Sequence, residues 1–146
     1  MERKAIDLYR RTNRIMTYMM DTNTCIFLMK NLPNTVTQFN QKRDKGIVIS
    51  SITASELYFG VHNSKTPDKI AVLLANFLIG VPVVDYGAAA GDCYGRIRAG
   101  LKRKNKIIGE LDMLIAAHAL SLGLILATNN TREFERVDGL YIEDWR

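Results

Sequence analysis

Four short, largely apolar runs punctuate the chain, at 17–20, 47–50, 81–84 and 124–127. They are rich in Val, Ile, Leu and Met and show no polar alternation, which is the pattern of strands buried on both faces. Stretches with helical spacing separate them. Strands alternating with helices indicate a parallel sheet covered on each side. The expected fold class is therefore α/β, a three-layer α/β/α domain around a mainly parallel sheet of four to five strands. A fifth, edge strand is expected at Tyr141-Ile142.

The helices are marked by local signals. One is expected to start near Thr24 and to end before Leu32-Pro33, where the proline breaks it. A second runs over 33–41, followed by a charged loop at 42–45. The helix over 51–63 contains Thr53 and Glu56 at capping-box spacing. Pro67 opens the next one, in which Ile70, Leu73, Leu74, Phe77 and Leu78 repeat at the helical period. A long helix covers 87–104. Another covers 111–122, with Leu111, Leu114, Ile115, His118 and Leu122 on one face and Gly123 at its end. A short helical turn is expected at 131–134.

Residues 1–15 are polar, carry Arg3, Lys4, Arg10, Arg11 and Arg14, and are read as an N-terminal extension to a single domain at 16–146. That segment has no apolar core of a signal peptide, and no run approaches the ~18 apolar residues of a membrane span. Cys25 and Cys93 are read as buried free thiols of a cytoplasmic protein, because two cysteines make neither a disulfide framework nor a metal cage. The net charge is +5, and its distribution matters more than its size. Between Asp92 and Glu110 there is no acid, and Arg96, Arg98, Lys102, Arg103, Lys104 and Lys106 together exceed the entire net charge. Such a run suits a polyanion or a solvated helix face.

Chemistry is sought at strand ends, because ligands of parallel sheets bind beyond the carboxyl ends of strands. Asp21 ends the first strand, Glu56 is placed in the first turn after the second, and Asn130 and Glu133 follow the fourth. Asp112 joins them only if the loop after the basic helix returns to the same edge. Each acid alone is explained by the helix dipole. Several acids aimed at one edge are costly unless a cation sits among them, and hard oxygen ligands suit Mg²⁺ or Mn²⁺. His118 is read as a core histidine, and His62 as exposed.

These residues carry a family resemblance. The segments YMMDTN (18–23), SSITASELYFG (50–60), IGELDMLIAAHA (108–119), TNNTREF (128–134) and EDW (143–145) resemble, in order and spacing, the PIN-domain toxins of the VapC family. The resemblance spans about 16–146. It implies a Mg²⁺- or Mn²⁺-dependent endoribonuclease, the toxin of a toxin–antitoxin pair, acting on a structured RNA such as a tRNA. By position, Asp21 and Asp112 match metal-binding aspartates, and Glu56 matches a third acid that acts directly or through water. Asn130 departs from the pattern, since many PIN domains carry aspartate there, and Glu133 is the candidate substitute. Thr22 and Asn23 are candidates for orienting Asp21 or a phosphate. Arg96, Arg98, Lys102 and Arg103 are the candidates for holding the RNA backbone. The resemblance also implies a VapB-like antitoxin, a homodimer with part of its interface in 70–78, operator DNA contacted only through the antitoxin, and no membrane partner.

Two other readings compete. Asp21-Thr-Asn-Thr24 is near the Asp-x-Asp-x-Thr signature of haloacid-dehalogenase-like phosphatases, with Asn23 where the second acid belongs. The missing acid at Asn130 would also suit a catalytically weak RNA- or antitoxin-binding regulator.

Overall fold

A computed structural model describes residues 16–146. The extension expected at 1–15 lies outside the described residues. The elements in chain order are β1 (Tyr18–Met20), α1 (Thr22–Met29), α2 (Pro33–Lys42), a 3₁₀ turn (Arg43–Lys45), β2 (Ile47–Ser50), α3 (Ser51–His62), α4 (Pro67–Gly80), β3 (Val83–Val84), α5 (Ala88–Arg103), α6 (Glu110–Leu122), β4 (Ile125–Ala127), α7 (Thr131–Phe134) and β5 (Ile142–Glu143). The five strands pair in parallel in the order β3-β2-β1-β4-β5. This is a doubly wound order, and it reverses direction between β1 and β4.

The continuous apolar character of the strands follows from the two cores they serve. Met19, Val48 and Leu126 point to one face, where α5, α6 and α7 supply Leu101, Met113, Ala116 and Phe134. Their chain neighbours Tyr18, Met20, Ile47, Ile49 and Ala127 point to the other, against Cys25, Leu57, Val61 and Leu74 of α1, α3 and α4. Trp145 closes that second face; its ring meets Tyr18 edge-on at 5.6 Å and its carbonyl accepts from Thr35 Oγ1 at 2.9 Å. Gly123 takes a left-handed conformation (φ 67°) that ends α6 and turns the chain directly into β4. Helix α6 therefore runs antiparallel to the strands, and its first turn lies at their carboxyl edge.

Several local expectations are corrected. Helix α1 begins at Thr22 rather than near Thr24, because Asp21 itself is the N-cap and accepts from the Thr24 amide at 2.9 Å. The capping box at Thr53 and Glu56 does not form. Ser50 caps α3 by accepting from the Ile52 amide at 3.0 Å, so Glu56 falls in the second turn and is released for another role. Leu111 is 48% exposed, and α6 instead buries Met113, Ile115, Ala116, Ala117, His118 and Ala119. A helix wedged between the sheet and α5 is covered over most of its circumference, so one apolar stripe understates its burial. The edge strand is displaced by one residue, Cys25 is buried as expected, and Cys93 is only partly covered. Among the described residues no helix is long and apolar enough to cross a membrane.

Candidate active site

The site lies where the sheet order reverses, beyond the carboxyl ends of β1 and β4. Asp21 is buried there with both carboxylate oxygens engaged. Oδ1 accepts from the Thr24 amide, and Oδ2 accepts from Thr128 Oγ1 at 2.6 Å. The Asp21 amide donates to Ala127 O at 3.0 Å, and Thr24 Oγ1 donates to the same carbonyl at 3.0 Å, so the ends of β1 and β4 are laced together around the acid. Burial pushes the Asp21 carboxyl up, and the donors from Thr128 and Thr24 pull in the opposite direction.

The other acids gather around it. Glu56 Oε1 accepts from Thr22 Oγ1 at 2.6 Å, which ties α3 to the start of α1. Asn130 holds the far side. Its amide N–H donates to Thr128 Oγ1 at 3.0 Å, and its side-chain Nδ2 donates to Glu133 Oε2 at 2.9 Å and to Asp112 Oδ2 at 3.3 Å. Thus Asn130 replaces a fourth charge with a neutral donor that bridges two carboxylates. Asp112 reports the crowding: its carboxyl is pushed up to about 7 by burial, then by a hydrogen bond and like charge from Glu133, and further by Asp21 and Glu56. All five expected site residues are therefore brought together.

The roles of two neighbours change. Thr22 engages Glu56 rather than Asp21, and Asn23 is exposed. Asp21 is oriented instead by Thr128, 107 residues away, a residue that opens the TNNTREF segment but to which the sequence assigned no role. A threonine directly after a strand is its only local signal. His118 is a buried core residue, as expected. Its Nδ1 lies 2.8 Å from Ser50 Oγ, its ring meets Tyr86 edge-on at 5.5 Å, and burial lowers its pKa to about 4 against the pull of Asp85. The contact fastens α6, and with it Asp112, to the end of β2.

The basic helix reaches the same edge, because α5 and α6 pack as an antiparallel pair joined by a short loop. Its charges are not all free. Arg96 pairs with Asp92 at 2.7 Å, Arg98 lies 3.7 Å from Glu110 and beside the Tyr94 ring, and Lys104 lies 3.4 Å from Asp138. These are exposed pairs of small energetic weight. Lys102 and Arg103 are exposed.

The donor set suits a hard divalent cation. Asp21, Glu56, Asp112 and Glu133 offer only oxygen, and Asp112 is raised by burial first and then by the neighbouring carboxylates, with no countercharge to offset either. Among the described residues no three acids, histidines or cysteines form a ready-made cage. Mg²⁺ does not require one, since it is commonly held through one or two carboxylates and retains much of its water.

The architecture and this acidic edge define a class, and the sequence matches the PIN domain family over residues 18–140. The chain is 46% identical over 132 residues to the tRNA(fMet)-specific endonuclease VapC of Shigella flexneri, covering 90% of this chain and 99% of that protein. It is 42% identical over 131 residues to the protein of the same name from Salmonella typhimurium, covering 90% and 99%. Among solved structures, DNA-bound VapBC from Salmonella typhimurium superposes with a TM-score of 0.86 at 43% identity, covering 90% of this chain and 100% of that one. VapBC2 from Rickettsia felis, bound to a promoter DNA fragment, gives 0.86 at 35% identity with the same coverage. The chain belongs to the VapC family of PIN-domain proteins. That membership sets aside the phosphatase reading, and the relatives' names, endonuclease and ribonuclease, do not favour the regulator.

Proposed function

We propose that this protein is a Mg²⁺-dependent endoribonuclease, with Mn²⁺ able to substitute, and the toxin of a toxin–antitoxin pair. The observation that carries the reading is the meeting of Asp21, Glu56, Asp112 and Glu133 at the β1/β4 edge, with the Asp112 carboxyl raised to about 7. The Shigella relative's name directs the choice of substrate to tRNA. Asp21 and Asp112 would hold the metal, Glu56 would assist directly or through water, and Glu133 would stand in for the acid absent at Asn130. When bound, the ion supplies charge neutralisation at the phosphate oxygens and acidifies a water molecule.

The protein's own groups do the positioning. Thr128 and the Thr24 amide fix the Asp21 carboxylate, Thr22 fixes Glu56, and the Asn130 amide keeps Asp112 and Glu133 in register. Hydrolysis of a phosphodiester needs a water in line with the leaving oxygen, and carboxylates accept its hydrogen bonds and the proton it loses. In this reading a VapB-like antitoxin covers the site and carries any contact with operator DNA. The protein works in the cytoplasm as a homodimer, for which the exposed Val72, Leu73 and Ile79 of α4 supply apolar surface.

The test is cleavage of total RNA and of a tRNA transcript by wild type and by Asp21→Asn, with Mg²⁺, with Mn²⁺ and with EDTA. Discrete fragments from wild type with metal alone, and none from a folded Asp21→Asn, are expected. Equal cutting by both proteins would overturn the site.

A further inference from the structure

Two adjoining cavities, of about 390 and 280 Å³, open between α5 and the segment that follows α7. They share Leu101, Lys104, Arg136 and Asp138, so they form one continuous trough. Lys106 and Arg132 line one end and Arg96 the other. The Arg132 end lies one residue along α7 from Glu133, which accepts from Asn130. Of the four α5 residues that the sequence marked for RNA, only Arg96 lies in this trough.

From this geometry we infer that the trough is the path of the RNA backbone away from the acidic edge, with Arg132, Lys106, Lys104, Arg136 and Arg96 holding successive phosphates. The inference rests on the nuclease reading for the identity of its ligand. Three observations carry it. First, among the described residues these five cations face only two acids within the trough, Glu135 and Asp138, and Asp138 is itself highly exposed beside Lys104. Arg96 is further tempered by Asp92, through an exposed pair that a phosphate can compete with. Second, Arg136 is preorganised. One guanidinium nitrogen donates to Ile107 O at 3.3 Å and to Lys106 O at 3.5 Å, which leaves the rest of its donor fork for an anion. Third, the floor is aliphatic, with Leu101, Leu120 and Val137, and among the described residues no aromatic ring lines the trough. Such a surface tracks a sugar–phosphate chain and does not read bases, so it contributes affinity and register, not sequence choice.

The experiment uses fluorescein-labelled tRNA transcript bound to full-length Asp21→Asn protein in EDTA, with anisotropy followed across a KCl series. Three forms are compared: this background, the same with Arg132→Ala and Lys106→Ala, and the same with Arg136→Gln, which keeps a donor for the carbonyls if removing the tie unfolds the loop. Lys65→Ala, on the exposed turn between α3 and α4, is the control. Removing one phosphate-holding cation, as in Arg136→Gln, is expected to weaken binding by roughly three- to tenfold near physiological salt and to flatten the log–log salt slope by about one, and the double variant should flatten it by about two. The weakening is expected to be equal for unrelated RNAs. In the active background KM should rise while kcat holds.

Unchanged slopes and unchanged KM in both variants, with wild type cutting normally, would overturn the trough and leave the nuclease reading standing. The binding arm needs no turnover, so a trough-dependent slope in a protein that cuts nothing supports the trough and overturns the nuclease reading. If the variants lose affinity for fluorescein-labelled polyglutamate and not for tRNA, the trough is a protein-binding surface and the proposal fails.

Discussion

Replacing Asp112 by Asn is expected to stabilise the metal-free protein while destroying its activity. The Asp112 carboxyl lies near 7 in the folded chain against 3.8 for the free side chain. A shift of that size corresponds to at most about 4 kcal/mol of repulsion and desolvation when the group is ionised. Asp112 is only part-buried and shares its repulsion with Glu133, so solvent screening reduces the usable amount to about 1–2 kcal/mol. Its place in the first turn of α6 returns about 0.5 kcal/mol of favourable dipole interaction that Asn lacks. The net gain for Asp112→Asn is about 1 kcal/mol.

The sign depends on pH. Below about 4 the carboxyl is protonated in both states and the two proteins should match. As pH rises from about 4 to about 7, the unfolded chain releases the proton that the folded wild type still holds, so wild-type stability falls across that window, and the advantage of the variant reaches its full value by pH 8. Urea denaturation in EDTA at pH 5 and pH 8 reads this as a change in midpoint at constant m, and heating reads it as an increase of about 2–4 °C at pH 8. Added Mg²⁺ should reverse the order, stabilising wild type and not the variant. A variant less stable than wild type at pH 8 in EDTA, or an advantage independent of pH, would refute the reasoning.

Other perturbations probe the same framework. Thr128→Val removes the 2.6 Å donor to a buried carboxylate; it should cost about 1–3 kcal/mol in denaturation and lower cleavage more than Thr22→Val does. Asn130→Asp exchanges a bridging donor for a fourth charge, so the metal-free protein should lose about 1–2 kcal/mol and its melting temperature should respond more steeply to Mg²⁺ than that of wild type. His118 titrates near 4 in the fold, so acid stability should fall as pH drops from about 6.5 to 4, by about 3 kcal/mol in all, because the unfolded chain takes up a proton that the folded one refuses. His118→Gln should flatten that part of the pH–stability curve, and an unchanged slope would place the acid sensitivity elsewhere. This contribution slopes opposite to that of Asp112 over an overlapping window, and it cancels when Asp112→Asn is compared with wild type.

What was legible in the sequence lies within a few residues of each position. Strands apolar on both faces announced a covered parallel sheet, Pro33, Pro67 and Gly123 marked helix ends, and acids after strands pointed to the carboxyl edge. Those signals come from backbone sterics and burial, which act locally. Partners were not legible by the same means. Glu56 has the spacing of a cap for α3 but is drawn to Thr22, because Ser50 already satisfies the helix start. Thr128 reaches Asp21 across 107 residues only because β4 pairs with β1. Asp112 joins the other acids because Gly123 turns α6 straight into β4 and fixes its direction. The basic run looked uniform along the chain, and the packing of α5 against the segment after α7 sorted it, turning Arg96 and Lys104 into the trough with Arg132 and Arg136. Composition and period specify which faces must be buried. The choice of strand order that buries them all at once decides which charges meet, and that choice belongs to the tertiary structure.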